Sequence, residues 1–150
     1  MKRVLMVCLG NICRSPLAQG ILEFKVDSSE VFVDSAGTGA YHIGEKPDVR
    51  SIEVAIDHGI DISNQRARKF VVEDFEEFDH IFAMDQANFD DIMSLVPSDD
   101  YRAKVKLILS VVDNVPNEVP DPYYGGHSGF RHVYGLLDDV CNYMVRKIIL

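Results

Sequence analysis

Positive charge is in short supply in this chain. Fifteen Lys and Arg stand against 24 Asp and Glu among 150 residues, a net charge of -9, which is the wrong sign for an electrostatic hold on nucleic acid or on an anionic membrane. Any anionic ligand must therefore be captured by a local field. Long hydrophobic runs are missing too. The N-terminal stretch MKRVLMVCLG is broken early by Asn11 and Arg14, so it is too short for a transmembrane helix and carries no visible export signal. Cysteine is sparse, and its three residues lack framework spacing, which predicts a reducing, cytoplasmic setting rather than a stapled secreted domain. The five histidines, His42, His58, His80, His127 and His132, show no metal-ligand spacing. No metal and no cofactor are expected.

Hydrophobic residues make up 47% of the chain, enough for one domain over residues 1–150 with a sizeable core. No repeat, low-complexity segment or linker divides it. Four short apolar runs, RVLMV (3–7), VFVDS (31–35), HIFAM (80–84) and VKLIL (105–109), read as buried strands. Helical spacing appears between them, in Leu17, Ile21 and Phe24, in Val49, Ile52 and Ile56, and in Phe89, Ile92 and Val96, each set predicting one apolar face. The C-terminal series Phe130, Val133, Tyr134, Leu137, Cys141, Met144 and Ile148 predicts a long amphipathic helix, which places Cys141 in the core. Strands alternating with helices predict a parallel sheet covered on both faces, with ligands outside the carboxyl ends of the strands. The stretch from Val112 to Gly129, rich in Pro and Gly, is long enough to be a functional loop.

The octapeptide CLGNICRS (8–15) sits at such a strand end. Ser15-Pro16 reads as a helix start, with serine capping free backbone N–H groups and proline at the first helical position. The loop from Leu9 to Arg14 then runs into a helix N-terminus, where amides and the helix dipole surround an anion, and Gly10 and Asn11 tolerate left-handed conformations. Cys8 faces that field as a nucleophile. Arg14 adds a planar fork of donors matched to two phosphate oxygens, and Ser15 can donate its hydroxyl to the sulfur. Thiolate, amide cradle and arginine together specify attack on phosphorus through a phosphocysteine intermediate. A buried cysteine before an ordinary capped helix is the plainer alternative, and the agreement of strand, Gly-Asn and Ser-Pro argues against it.

These residues resemble the low-molecular-weight protein tyrosine phosphatases. The pattern VCLGNICRSP matches from Val7 to Pro16 without a gap, and the likeness continues through DSAGT (34–38), EDFEEFDHIFAMDQAN (73–88), RAKVKL (102–107) and DPYYGG (121–126). The resemblance implies a single-domain α/β fold, a four-stranded parallel sheet with helices on both faces and a phosphate-binding loop after the first strand. It implies a metal-independent hydrolase with Cys8 as nucleophile, Arg14 as phosphate ligand and Asp121 as general acid. Asp121 lies between Pro120 and Pro122; from Asp-Pro alone a surface turn would be the reading. Leu9 and Ile12 match pocket-lining positions, Gly10, Cys13 and Ser15 belong to the anion loop, and Tyr123 and Tyr124 match tyrosines that line the cleft. Tyr41 stands where the family often has tryptophan, and aromatic walls favour a flat aryl group. Asn11, Ser15 and Ser35 match positions that brace the loop. Gln65 stands where the family usually has a histidine that helps hold the loop, so the resemblance implies a different support at that position.

Cys13 shares one curved loop with Cys8, and the family is known for this redox pair; a disulfide is conceivable if the sulfurs converge, and a passive small residue beneath the cradle is the alternative. Arg66, Arg68 and Lys69 read as a solvated helix start, and EDFEEFD as a solvated acidic face. The expected partner is a phosphotyrosine-containing protein, with phosphate and other oxyanions as competitive ligands, no nucleic acid and no membrane, and a monomer by default with weak self-association conceivable through the aromatic rim. Three rivals share the loop. An arsenate reductase needs two further cysteines where only Cys141 lies beyond Cys13. A phosphocarrier has no need of Asp121, and a phosphotyrosine-binding module needs neither nucleophile nor acid.

Overall fold

The computed structural model of the protein describes residues 1–112 and 117–149. Its sheet is built from β1 (Lys2–Cys8), β2 (Val31–Gly37), β3 (His80–Ala83) and β4 (Val105–Leu107), all parallel, in the order β2-β1-β3-β4. The helices are α1 (Arg14–Lys25), α2 (Val49–Ile56), the single turn α3 (Asp74–Glu77), α4 (Gln86–Met93) and α5 (Gly126–Met144).

Strand alternation divides the core in two. Val4, Met6 and Cys8 of β1 point to one side, joining Leu17 and Ile21 of α1 and Phe130, Val133 and Leu137 of α5, while Leu5 and Val7 join Phe75, Ile81 and Ile92 on the other. Both faces of the central strand are thus buried, as its unbroken apolar run requires. Each fully buried Leu, Ile or Phe in these layers contributes about 1.5–3 kcal/mol. Because β2 lies on one side of β1 and β3 on the other, the connections after β1 and β3 diverge at the carboxyl edge, opening the crevice where doubly wound sheets bind ligands.

The four predicted strands form, β1 and β2 running one or two residues beyond their predicted ends and β3 and β4 stopping short of theirs. VKLIL is strand only through Leu107, after which Ile108–Val111 tightens into a 3₁₀ turn. The α5 stripe is buried from Phe130 to Met144, and the side chain of Ile148 lies outside the described residues, as do residues 113–116 of the long loop. Two helix faces differ from their spacing. In α2 the buried residues are Ser51, Val54 and Ala55, whereas Val49 and Ile56 are more than half exposed: the helix meets α1 and α5 through small side chains that permit close approach. Phe24 is also exposed, beyond the point where α1 leaves the core. Arg66–Lys69 is not a helix start. Its backbone extends along β2, with a parallel bridge between Lys69 and Gly37, and Arg68 forms ion pairs with Asp34 and the buried Asp74. Asp74 therefore belongs to the interior, and EDFEEFD is solvated only in part.

Candidate active site

Cys8 is the last residue of β1, and the chain then curls through residues 9–13 before α1 begins at Arg14. The direction of this curl is set by what claims its carbonyls. Thr38 and Gly39 amides donate to the Cys8 and Leu9 oxygens at 2.9 Å each, and the Asp48 amide donates to the Ile12 oxygen at 2.8 Å. The Ser51 hydroxyl donates to the Cys13 oxygen at 3.3 Å. In a trans peptide the following N–H points opposite the carbonyl. Carbonyls drawn outward therefore leave the amides of Leu9, Gly10, Cys13 and Arg14 on the concave side, an anion cradle at a helix N-terminus.

Asn11 ties the loop together. It holds φ 57°, a left-handed conformation that asparagine tolerates, and its own amide donates to Cys8 Sγ at 3.3 Å. Gly10 does not share that conformation. Its lack of a side chain serves a close approach, since a Cβ there would lie 3.0 Å from the His42 ring. Gly37 works similarly at the end of β2, where a Cβ would meet the Leu9 carbonyl at 2.7 Å. Asn11 Nδ2 donates to Ser15 Oγ at 2.8 Å and Ser35 Oγ at 2.9 Å, and Asn11 Oδ1 accepts from the Arg68 amide at 3.0 Å. The Ser35 hydroxyl in turn donates to Gln19 Oε1 at 2.6 Å. Ser15, having accepted from Asn11, keeps its own hydrogen for Cys8 Sγ, 3.0 Å away. Two donors therefore converge on the sulfur.

This chain corrects the expectation for Ser15. Cys13, not Ser15, is the N-cap residue, and no side chain caps the helix; Pro16 is thus the third helical residue rather than the first. The serine hydroxyl lies 3.0 Å from the Cys8 sulfur, serving the second task that the sequence suggests. Ser15 and Asn11 are fully or almost fully buried, so their side chains act from behind the loop rather than lining the cleft. Gln65 does not reach Asn11; its Nε2 donates to the Pro16 carbonyl at 3.1 Å, while Arg68 supplies the donor to Asn11.

Arg14 is 3% exposed. Its Nη1 donates to Asp85 Oδ2 at 2.7 Å and to the Val119 carbonyl at 3.0 Å, and Nη2 lies 3.8 Å from Asp121 Oδ2. Burial opposes the guanidinium charge, but Cys8, Asp85 and Asp121 outweigh it and raise its pKa above the ordinary value. Asp85 stands just beyond β3, and its other oxygen caps α4 by accepting from the Asn88 amide at 2.8 Å. The ends of β1 and β3 are thereby joined across the crevice.

Above the loop opens a cleft of about 360 Å³. Cys8, Cys13 and Arg14 belong to its lining, with Leu9, Gly10 and Ile12 contributed by the loop. Tyr41, His42, Asp121, Tyr123 and Tyr124 complete the lining. Burial pushes the Cys13 thiol up to about 12, with Asp48, Cys8 and Asp121 reinforcing the shift. Asp121 is about half exposed, and its Oδ1 accepts from the Tyr123 amide at 3.0 Å. All expected pocket residues meet here apart from the side chains of Asn11 and Ser15. Asp85 and His42 escaped the sequence reading. Asp85 carries one local signal, the Asp-x-x-Asn spacing of a helix cap after a strand; His42 has none beyond its proximity to Tyr41. Among the described residues no three His, Cys, Asp or Glu side chains gather as a metal site, and no helix is long and apolar enough to cross a membrane.

Comparison with known proteins agrees with this geometry. Residues 3–149 match the family model for low molecular weight phosphotyrosine protein phosphatase. The enzyme of that name from Schizosaccharomyces pombe is 41% identical, over 97% of this chain and 96% of its own, and the human one 38% identical, over 97% and 95%. A crystal structure of the protein tyrosine phosphatase from Entamoeba histolytica, with Hepes in its active site, superposes with a TM-score of 0.93 at 36% identity, covering 99% of this chain and 97% of that one. With the family model matched over residues 3–149 and these relatives similar over nearly its whole length, the chain belongs to the low molecular weight phosphotyrosine protein phosphatase family.

Proposed function

We propose that the protein hydrolyses phosphotyrosine in protein substrates, and small aryl phosphates, by two in-line displacements at phosphorus. The observation that carries this reading is the convergence on one cleft of Cys8 Sγ with its two donors, the outward-held carbonyls of the loop, and the Arg14 and Asp121 side chains. In the first step Cys8 Sγ attacks phosphorus while the bond to the aryl oxygen breaks, and Asp121 gives its proton to the departing phenol. Loop amides and Arg14 hold the equatorial oxygens, whose charge they are placed to meet. In the second step Asp121 takes a proton from water as water attacks phosphorus, the S–P bond breaks, and inorganic phosphate leaves with the sulfur restored. Ser15 and Asn11 stabilise the sulfur as nucleophile and as leaving group.

Tyr41, Tyr123 and Tyr124 give the cleft aromatic walls suited to a planar phenyl ring. Free phosphate and other oxyanions would compete for the cradle. The third cysteine supports this reading over a thiol-relay reductase: Cys141 is fully buried in α5, and burial pushes its thiol up to about 12. A carrier or a binding module would leave Asp121 without a task. Cys8 and Cys13 line the same cleft as free thiols, and joining them by hydrogen peroxide would turn two thiols and one hydrogen peroxide into one disulfide and two waters. A reducing cytoplasm suits this chemistry, and a monomer suffices for it, because every group named comes from one chain.

The test is release of p-nitrophenol from p-nitrophenyl phosphate in EDTA and reductant, for wild type and Cys8→Ser. Turnover that vanishes in the variant establishes cysteine-based chemistry; no turnover by folded, reduced wild type overturns the reading.

A further inference from the structure

Asp121 is about half exposed, and hydrogen bonds through Tyr123 link it to one side chain outside the cleft lining. Asp48 caps α2 by accepting from the Arg50 amide at 2.9 Å. The same carboxylate grips the Arg50 guanidinium with both oxygens, from Nε at 3.0 Å and Nη2 at 3.0 Å. Nη2 also donates to the Tyr123 carbonyl at 2.9 Å. Tyr123 in turn donates its amide to Asp121 Oδ1 at 3.0 Å. One residue is thus gripped by Arg50 through its carbonyl while it grips the acid through its N–H. At the other end, the Asp48 amide donates to Ile12 of the anion loop at 2.8 Å. A continuous path therefore runs from the cradle through Asp48 and Arg50 to the residue that orients Asp121.

We propose that Arg50 is a positioning residue that fixes Asp121 over the phosphate loop, an inference that rests on the phosphatase reading above. Its surroundings suit this task better than anion binding. The guanidinium lies over the Phe130 ring, 4.6 Å from its centroid, and 5.6 Å from that of Tyr123, and its charge is matched by the bidentate Asp48 carboxylate, a geometry only arginine makes. Beyond Tyr123 and Tyr124 the chain continues as Gly125-Gly126, where backbone freedom is greatest. Without Arg50 the acid would keep its residues but lose the anchor that fixes its distance to a leaving oxygen.

The experiment compares wild type, Arg50→Lys, Arg50→Met and Asp121→Asn on p-nitrophenyl phosphate and on phenyl phosphate. The value of kcat/KM reports transfer of the phosphoryl group to Cys8, a step in which a basic leaving group needs the proton and an activated one does not. Loss of positioning should lower kcat/KM on phenyl phosphate by on the order of tenfold in both Arg50 variants, with a far smaller change on p-nitrophenyl phosphate. Amide hydrogen exchange should quicken at Tyr123 and Tyr124 while β1 stays protected. Equal losses on both substrates, or none, overturn the proposal, as does unchanged exchange. Arg50→Lys keeps the cation over Phe130 and guards against a variant that fails to fold. Failure of the phosphatase reading is distinguishable, since wild type would then turn over neither substrate.

Discussion

Two segments meet over the cleft, and they are built differently. The loop from Cys8 to Arg14 is mostly sealed: Cys8, Asn11 and Arg14 are each at most 3% exposed, Leu9 alone standing out into the cleft mouth, and its carbonyls are claimed from α2 and the chain between β2 and α2. The segment from Val119 to Gly125 is anchored at its start, where buried Val119 donates to the Met84 carbonyl at 2.8 Å and accepts from Arg14, but Tyr124 is 95% exposed. Charge builds on equatorial phosphate oxygens in every turnover, and donors for it work best when nothing must reorganise. A proton donor, by contrast, must admit an aromatic ring and release it. Rigid support belongs to the charge, and access belongs to the proton.

That contrast can be broken most directly at the sulfur. Cys8→Ser should cost on the order of 10⁴-fold or more in kcat, on every aryl phosphate, because the whole sealed loop is organised around that atom. Steady-state rates with a series of leaving groups check this. Asp121→Asn tests the open segment and should cost about 10²–10³-fold in kcat/KM on phenyl phosphate while sparing that of activated esters, whose first step needs no proton. If both variants lost activity uniformly across leaving groups, the division of labour between the two segments would be wrong.

Asn11→Ala comes next in size and bears on stability as well as rate. It removes the donors to Ser15 and Ser35 and the acceptor for Arg68, each worth about 1 kcal/mol, and puts alanine in a left-handed conformation at about 1–2 kcal/mol. A loss of roughly 3–5 kcal/mol in urea unfolding is expected. Asn11→Gly keeps the same side-chain loss but relieves the backbone, so it should recover about 1 kcal/mol. A variant as stable as wild type would mean the network does not hold the loop.

How much of this was legible beforehand follows from sequence separation. CLGNICRS was readable because strand, turn, arginine and serine are consecutive, so one local pattern carries the cradle and its nucleophile. Asp85 and Arg50 were not. Asp85 pairs with a residue 71 positions earlier and Arg50 with one 73 positions later, and neither sits in a pattern that demands a partner. For Ser15 the sequence offers two tasks, capping and donation to the sulfur; propensity, which sees only neighbours, favours the cap, whereas Cys13 takes the cap position and the serine hydroxyl lies against the sulfur. The α2 stripe failed for a related reason: hydrophobic spacing marks large side chains, but close helix contact there selects Ser51 and Ala55. The parallel sheet survived such errors because continuous apolar runs are a coarse signal.

The smallest effect concerns the second thiol of the sealed loop. In the fold Cys13 is raised from 9.0 to about 12, so between those pH values the unfolded chain loses this proton while the native protein keeps it. The unfolded state then binds fewer protons, and stability falls as pH rises through the window, by up to about 1.4 kcal/mol per pH unit for each such thiol. Below pH 9 Cys13 contributes no slope. Cys141, shifted the same way by burial, adds a second equal contribution. Melting temperature measured from pH 8 to 11 should therefore decline less steeply in Cys13→Ala than in wild type, whatever constant offset the lost packing brings, and less steeply still when Cys141→Ala is added. Parallel curves would show that Cys13 ionises in the fold as freely as in the open chain, and the loop would then be less sealed than its hydrogen bonds imply.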